Sequence, residues 1–328
     1  MVMLRKVDRR SLLLSAAATI AAPHVRAQGA AEKISFLTDY GYYGRHSYIF
    51  YALKKGYFSD EGLDVSILRG QGSYDVAKQV ANGVAQFGIV DTAAIILGRG
   101  NDQIPIRAVA MIYAKLPSAT FVMKGAGISQ PKDLEGRTIA GATAGSGRAL
   151  FGVYARLAGF DANKVKWVNA PSDSLPAALV SGRVDGINNF VLSQPLLTKM
   201  ASPKEVLPLP FSDVGMDAYA QALTTSESMI AAKPDLVKRV ARATIRGLKD
   251  ATANPAEAGS ILHEYHREVD ADVAAGETEI LRGLATLPGV KLGLIQPERM
   301  TNTINLVKET SSLSHPVKAE DVFSDGGI

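Results

Sequence analysis

The sequence predicts an α/β protein of two lobes, each a mainly parallel sheet flanked by helices. Three observations predict it. Strand-like and helix-like stretches alternate from about residue 34 to 188, they fall into two successive series, and the pattern turns helical after about residue 225. At 328 residues and 47% hydrophobic composition, the chain can supply two cores of ordinary size.

In the first series, Ile34 to Leu37 reads as a strand, Tyr48 to Lys55 as a helix, Leu63 to Leu68 as a strand and Ser73 to Ala81 as a helix. Strand Phe87 to Val90, helix Thr92 to Gly98, and strands Ile106 to Tyr113 and Ala119 to Met123 follow. The second series reads Thr138 to Ala140 as strand, Gly147 to Ala158 as helix, Val165 to Val168 as strand, Leu175 to Ser181 as helix and Gly186 to Asn188 as strand. Four helices close the chain: Pro234 to Ala253, Pro255 to His266, Asp270 to Leu284 and Pro297 to Leu306. Three of them open on a proline, which a first helical turn tolerates because its N–H has no partner there.

The first residues read as an address. Arg5, Lys6, Arg9 and Arg10 precede an apolar run from Ser11 to Ala22, and Val25-Arg26-Ala27 is a small-x-small cleavage signal. The run is shorter than the roughly 20 residues a bilayer span needs. Residues 1–27 are therefore expected to be a signal peptide, and Arg9-Arg10 resembles a twin-arginine signal with Asp8 and Leu12 departing from its usual flanks. That segment holds five basic residues and one acidic, leaving 31 of each sign in the rest. The basic excess thus belongs to the leader and points to neither nucleic acid nor an anionic membrane. With no cysteine there is no disulfide, no thiolate nucleophile and no lipid-bearing cysteine after the leader.

Candidate binding residues lie where strands end and the next helices begin, since backbone N–H groups there are unpaired. After the first strand, residues 38–46 concentrate Asp39, Tyr40, Tyr42, Tyr43, Arg45 and His46. The tyrosines suit stacking on a flat ligand and Asp39 suits a ring amine. On this reading Asp39→Ala or Tyr43→Ala weakens binding without unfolding the chain. Gly72 and Ser73 open a helix after the second strand, and Asp91 and Thr92 after the third; each group equally suits helix capping. In the second series, Gly145 and Ser146 lie in a glycine-rich turn able to cradle an anion or carbonyl, and Asn189 ends a later strand. The turn is G-x-x-x-G-x-G, neither a dinucleotide fingerprint nor a P-loop. His263 and His266 stand three apart where the zinc motif needs four, and no Gly-x-Ser-x-Gly elbow occurs.

Several motifs carry a family resemblance. Gly56-Tyr57-Phe58 with Gly62-Leu63-Asp64-Val65, then Gly70-Gln71-Gly72-Ser73, Ala81-Asn82-Gly83, Phe87-Gly88, Pro131 to Gly136 and Gly182 to Gly186 run in order. This set resembles the NMT1/THI5-like solute-binding proteins over roughly residues 34–260. The resemblance implies a two-lobed periplasmic binding protein of type II, with residues 28–117 and 220–328 in one lobe, 118–219 in the other, and two crossover strands as hinge. It also implies a monomer without catalysis or cofactor that delivers a small solute to the membrane permease of an ABC importer, or presents it to a signalling receptor. The expected ligand is a flat heterocycle such as a thiamine-type pyrimidine; an aromatic carboxylate or alkyl sulfonate stays open. The family's eukaryotic relatives make a pyrimidine and carry a cysteine-rich segment, from which this cysteine-free chain departs.

Overall fold

A computed structural model describes residues 31–142 and 146–327. The expected leader at 1–27 and Gly145 lie outside these residues, as does the side chain of Ser146.

Ten strands form two sheets. They are β1 (Glu32–Leu37), β2 (Leu63–Leu68), β3 (Phe87–Asp91), β4 (Ile106–Met111), β5 (Ser118–Met123), β6 (Thr138–Gly141), β7 (Lys166–Asn169), β8 (Gly186–Phe190), β9 (Val206–Pro210) and β10 (Gln221–Ser226). The first sheet has the order β2-β1-β3-β10-β4 and the second β7-β6-β8-β5-β9. In each, one strand opposes the rest: β10 is antiparallel to β3 and β4, and β5 is antiparallel to β8 and β9. Each opposed strand is the first the chain lays down after crossing from the other sheet, between Met111 and Ser118 outward and between Pro210 and Gln221 on return. Helices cover the sheets, giving an α/β fold of two lobes.

Strands β9 and β10 and the helix Gln194–Ala201 have no counterpart in the sequence reading. The sequence of β10, Gln-Ala-Leu-Thr-Thr-Ser, is polar, yet every residue is buried. Its hydroxyls are satisfied internally: Thr224 Oγ1 donates to Gly88 O at 2.9 Å and Thr225 Oγ1 to Gln86 O at 2.7 Å. Strand β9 holds two prolines, which an edge strand tolerates because one row of N–H groups faces away from the ladder.

The C-terminal helices tie the lobes together. Helix Pro234–Ala253 packs on helix Ser47–Lys54 of the first lobe. Helix Ala271–Ala285 comes so close to residue 44 that a Cβ there would stand 2.4 Å from Ala274 Cα, so only glycine fits. Helix Pro297–Thr310 touches both helix Thr92–Asp102 and helix Ser146–Ala158 of the other lobe. In the second lobe Tyr154 stacks on Phe211 with ring centroids 4.0 Å apart, and Phe151 meets Trp167 edge-on at 4.9 Å. Ion pairs link the second-sheet helices to the C-terminal helices at the surface, among them Lys199 to Asp270 at 2.5 Å and Arg156 to Glu309.

Candidate functional site

The parallel strands of both sheets turn their carboxyl ends toward a common cleft of about 600 Å³. Asp39 follows β1, Gly72 and Ser73 follow β2, Asp91 ends β3, and Gln221 begins β10 at the same edge because that strand runs the other way. From the second sheet come Ser118 at the start of β5, Arg148 on the helix after β6, and Phe190 at the end of β8. Leu306 and Val307 of helix Pro297–Thr310 close one side.

Asp39 is the hub of a buried charge network. Its Oδ1 accepts from His46 Nε2 at 2.6 Å, Arg45 Nη2 lies 3.4 Å from both oxygens, and Gln221 Nε2 donates to Oδ2. Burial alone would raise this carboxyl. The Arg45 charge and the hydrogen bonds from His46 and Gln221 outweigh burial and hold it well below the usual carboxylate range. Burial lowers the His46 imidazole, against the pull of Asp39, so the ring is neutral near pH 7. Its tautomer follows from its neighbours: Tyr43 N–H donates to Nδ1 at 3.2 Å, so the ring proton sits on Nε2 and points at Asp39. Beneath Arg45, Glu277 accepts the Arg45 backbone N–H at 3.0 Å. Burial pushes Glu277 up to about 7 even against the guanidinium charge.

Asp91 is the contrasting carboxylate. Its Oδ1 accepts the Ala93 N–H at 2.9 Å, capping helix Thr92–Asp102, and its own N–H donates to Ser73 Oγ at 3.0 Å. No cation pairs with it among the described residues. Burial therefore dominates and pushes its carboxyl up to about 6. From the second lobe, Arg148 stacks at 4.5 Å over the ring of Trp167 and donates to Asn169 Oδ1 at 2.8 Å.

Of the residues singled out from sequence, the cleft brings together Asp39, Gly72, Ser73 and Asp91. The tyrosine-rich loop finds its stacking partners inside the protein. Tyr42 stacks on His266 at 3.7 Å and meets Phe50 edge-on at 5.7 Å. Tyr43 lies under the Arg45 guanidinium at 4.3 Å, and Tyr40, 46% exposed, stands parallel to it with centroids 6.5 Å apart. His46 is consumed by Asp39, and Thr92 is buried with its hydroxyl donating to Ala220 O. Asn189 Oδ1 turns back to accept the Phe190 N–H at 2.8 Å. None of these six side chains lines the cleft. Its aromatic walls are Tyr74, Tyr219 and Phe190. Tyr74 and Phe190, which line the cleft, directly follow Ser73 and Asn189 in the chain.

The chain has counterparts among known proteins. A model of the family described as NMT1/THI5 like matches residues 44–258. The chain belongs to the NMT1/THI5-like family. Within reach of this family, the chain is 26% identical to the riboflavin-binding protein RibY of Chloroflexus aurantiacus, over 94% of this chain and 90% of that protein. It is 23% identical to the formylaminopyrimidine-binding protein of Halalkalibacterium halodurans, over 90% of each. A 4-amino-5-hydroxymethyl-2-methylpyrimidine phosphate synthase of Legionella pneumophila is 23% identical, over 66% of this chain and 68% of its own. In fold, it is similar to the crystal structure of the periplasmic aliphatic sulphonate binding protein SsuA from Escherichia coli, with a TM-score of 0.72 at 13% identity, covering 90% of this chain and 92% of that one.

Proposed function

We propose that this NMT1/THI5-like protein is a periplasmic, non-catalytic receptor of an ABC importer that closes its two lobes on a flat, nitrogen-bearing heterocycle. The observation that carries the reading is the cleft: apolar and aromatic walls drawn from both lobes, with an unpaired carboxylate, Asp91, on one side and a guanidinium, Arg148, on the other. A planar ring fits the aromatic walls, and an amino or ring N–H group suits Asp91. The two relatives that span nine-tenths of this chain are named for riboflavin and formylaminopyrimidine, both heterocycles. The synthase match is narrower, and the family's solute-binding members carry the whole-chain likeness.

Residues 28–117 and 220–328 would form one lobe and 118–219 the other, hinged where the chain crosses between sheets. The leader read at 1–27 would carry the protein to the periplasm, where it acts as a monomer and docks closed on the permease. No helix among the described residues is long and apolar enough to cross a membrane. Lys199 pairs with Asp270 and Arg156 with Glu309, linking the second-sheet lobe to the C-terminal helices, and on this reading both pairs favour the closed state. Exposed pairs of this kind contribute roughly 0–1 kcal/mol. The double variant Lys199→Ala/Arg156→Ala is therefore expected to weaken ligand binding about threefold at low salt, and raising NaCl to about 0.5 M should erase the difference. Calorimetric titration at two ionic strengths checks this.

A thermal-shift screen tests the function. The protein is heated with pyrimidines, flavins, alkyl sulfonates and aromatic carboxylates. A heterocycle present at about 100 times its dissociation constant should stabilise the fold by about 2.7 kcal/mol. Among the described residues, Arg148 is the cation lining the cleft that suits an anionic ligand. A shift with sulfonates or carboxylates alone would replace the heterocycle reading with an anion receptor.

A further inference from the structure

The first-lobe side of the cleft carries two hydrogen-bond acceptors side by side. Gln221 and Asp91 are opposite partners in the antiparallel pairing of β10 with β3, so their side chains leave the same face of the sheet. Such partners stand about 5 Å apart at Cβ. Both line the cleft.

The orientation of the Gln221 amide is set by its neighbour. Arg45 holds Asp39 ionised, so the Asp39 oxygens only accept, and the Gln221 group that meets them must be the Nε2 amino end. Gln221 Oε1 is left without a partner among the described residues, and it is not among the buried atoms sealed off without one. Asp91 spends Oδ1 on the Ala93 N–H and keeps Oδ2.

We infer that Gln221 is a specificity-determining residue which, with Asp91, selects ligands presenting two adjacent N–H donors over ligands presenting a carbonyl at the same edge. The inference rests on the proposed receptor function and adds the donor pattern of its ligand. A carbonyl placed there meets lone pairs from both residues: Asp91 becomes a donor only by taking up a proton above its value of about 6, and turning the Gln221 amide would set its oxygen against the Asp39 carboxylate. Arg45 and His46 are positioning residues for this pair, since they keep Asp39 charged and in place. An aminopyrimidine supplies the required donors. The imide edge of a flavin alternates carbonyl, N–H and carbonyl, and fits less well.

The test compares a 4-aminopyrimidine with its 4-oxo counterpart, in which a carbonyl replaces the amino group and the adjacent ring nitrogen carries the proton, by calorimetric titration of the wild type and the Gln221→Met variant. The wild type is expected to favour the amino compound by about 100-fold, because a site built around hydrogen bonds leaves its own groups unpaired with the wrong partner. Gln221→Met should cut that ratio by about tenfold or more. Wild-type dissociation constants within about threefold of each other would overturn the inference while leaving the receptor reading in place, and this arm decides the matter even if the variant fails to fold. A folded Gln221→Met variant with the wild-type ratio would overturn the role of Gln221. Binding of neither compound, with no hit in the wider screen, would overturn the receptor reading and the inference with it.

Discussion

Replacing Asp39 by alanine is expected to destabilise the protein by about 3–5 kcal/mol, because the change leaves a buried guanidinium without its counter-charge. Asp39 is 5% exposed and Arg45 nearly as enclosed, with the side chain of Arg45 only 14% exposed. Loss of the carboxylate also strips a hydrogen-bond acceptor from His46 and from Gln221. The sequence alone had suggested a milder outcome, weaker binding on an intact fold. The geometry reverses that expectation, since three protein groups already occupy the carboxylate. Asp39→Asn keeps the shape and one acceptor and should cost less. The network also sets an acid limit. Because the folded state holds the Asp39 carboxyl below its ordinary value of 3.8, its contribution is present above that pH and is lost as pH falls below it. Urea unfolding at pH 7 measures the effect; a change under about 1 kcal/mol would show that Arg45 finds its compensation elsewhere, in Glu277.

Asp91→Asn is expected to lower ligand affinity by about 100-fold while leaving the fold as stable or more so at neutral pH. Asparagine still accepts the Ala93 N–H, so the helix keeps its cap. What disappears is the buried charge. Burial raises the Asp91 carboxyl from 3.8 to about 6 in the folded protein. The folded state thus binds a proton more tightly than the unfolded chain, and stability falls as pH rises from about 4 to about 6 and stays lower above it. The variant removes that loss. Binding has the opposite dependence: a donor ligand needs the ionised carboxylate, so wild-type affinity should fall about tenfold per pH unit below about 6. In Asp91→Asn this segment of the profile should be flat. Glu277, raised to about 7, titrates close by beneath Arg45 but does not line the cleft. A variant retaining the wild-type slope would transfer the pH dependence to it.

The alternation of strands and helices was readable because the buried positions of β1, β3 and β4 are apolar, and because prolines mark the starts of three C-terminal helices. Strand β10 was not, because its threonines bond carbonyls and its glutamine the Asp39 carboxylate, all more than a hundred residues away, and polar composition reads as loop. The same distance explains the tyrosine loop. Aromatic richness signals stacking but not the partner, and the ring facing Tyr42 is His266. Asp39, Ser73 and Asp91, singled out from sequence, share the cleft because strand ends in this fold converge by topology. The wall built by Leu306 and Val307 depends on a late helix folding back across the cleft, which no local pattern announces.

The central claim, capture of a heterocycle between the lobes, is most directly tested by the fluorescence of the chain's single tryptophan. Trp167 lies in the second lobe beneath Arg148, whose side chain lines the cleft, so a ligand that engages both lobes must disturb its environment. Titration with a formylaminopyrimidine should give a saturable change in Trp167 emission that follows one binding isotherm and weakens about 100-fold in Asp91→Asn, a first-lobe variant. Emission unmoved at ligand concentrations that bind by calorimetry would contradict closure across the cleft and place the ligand on one lobe alone.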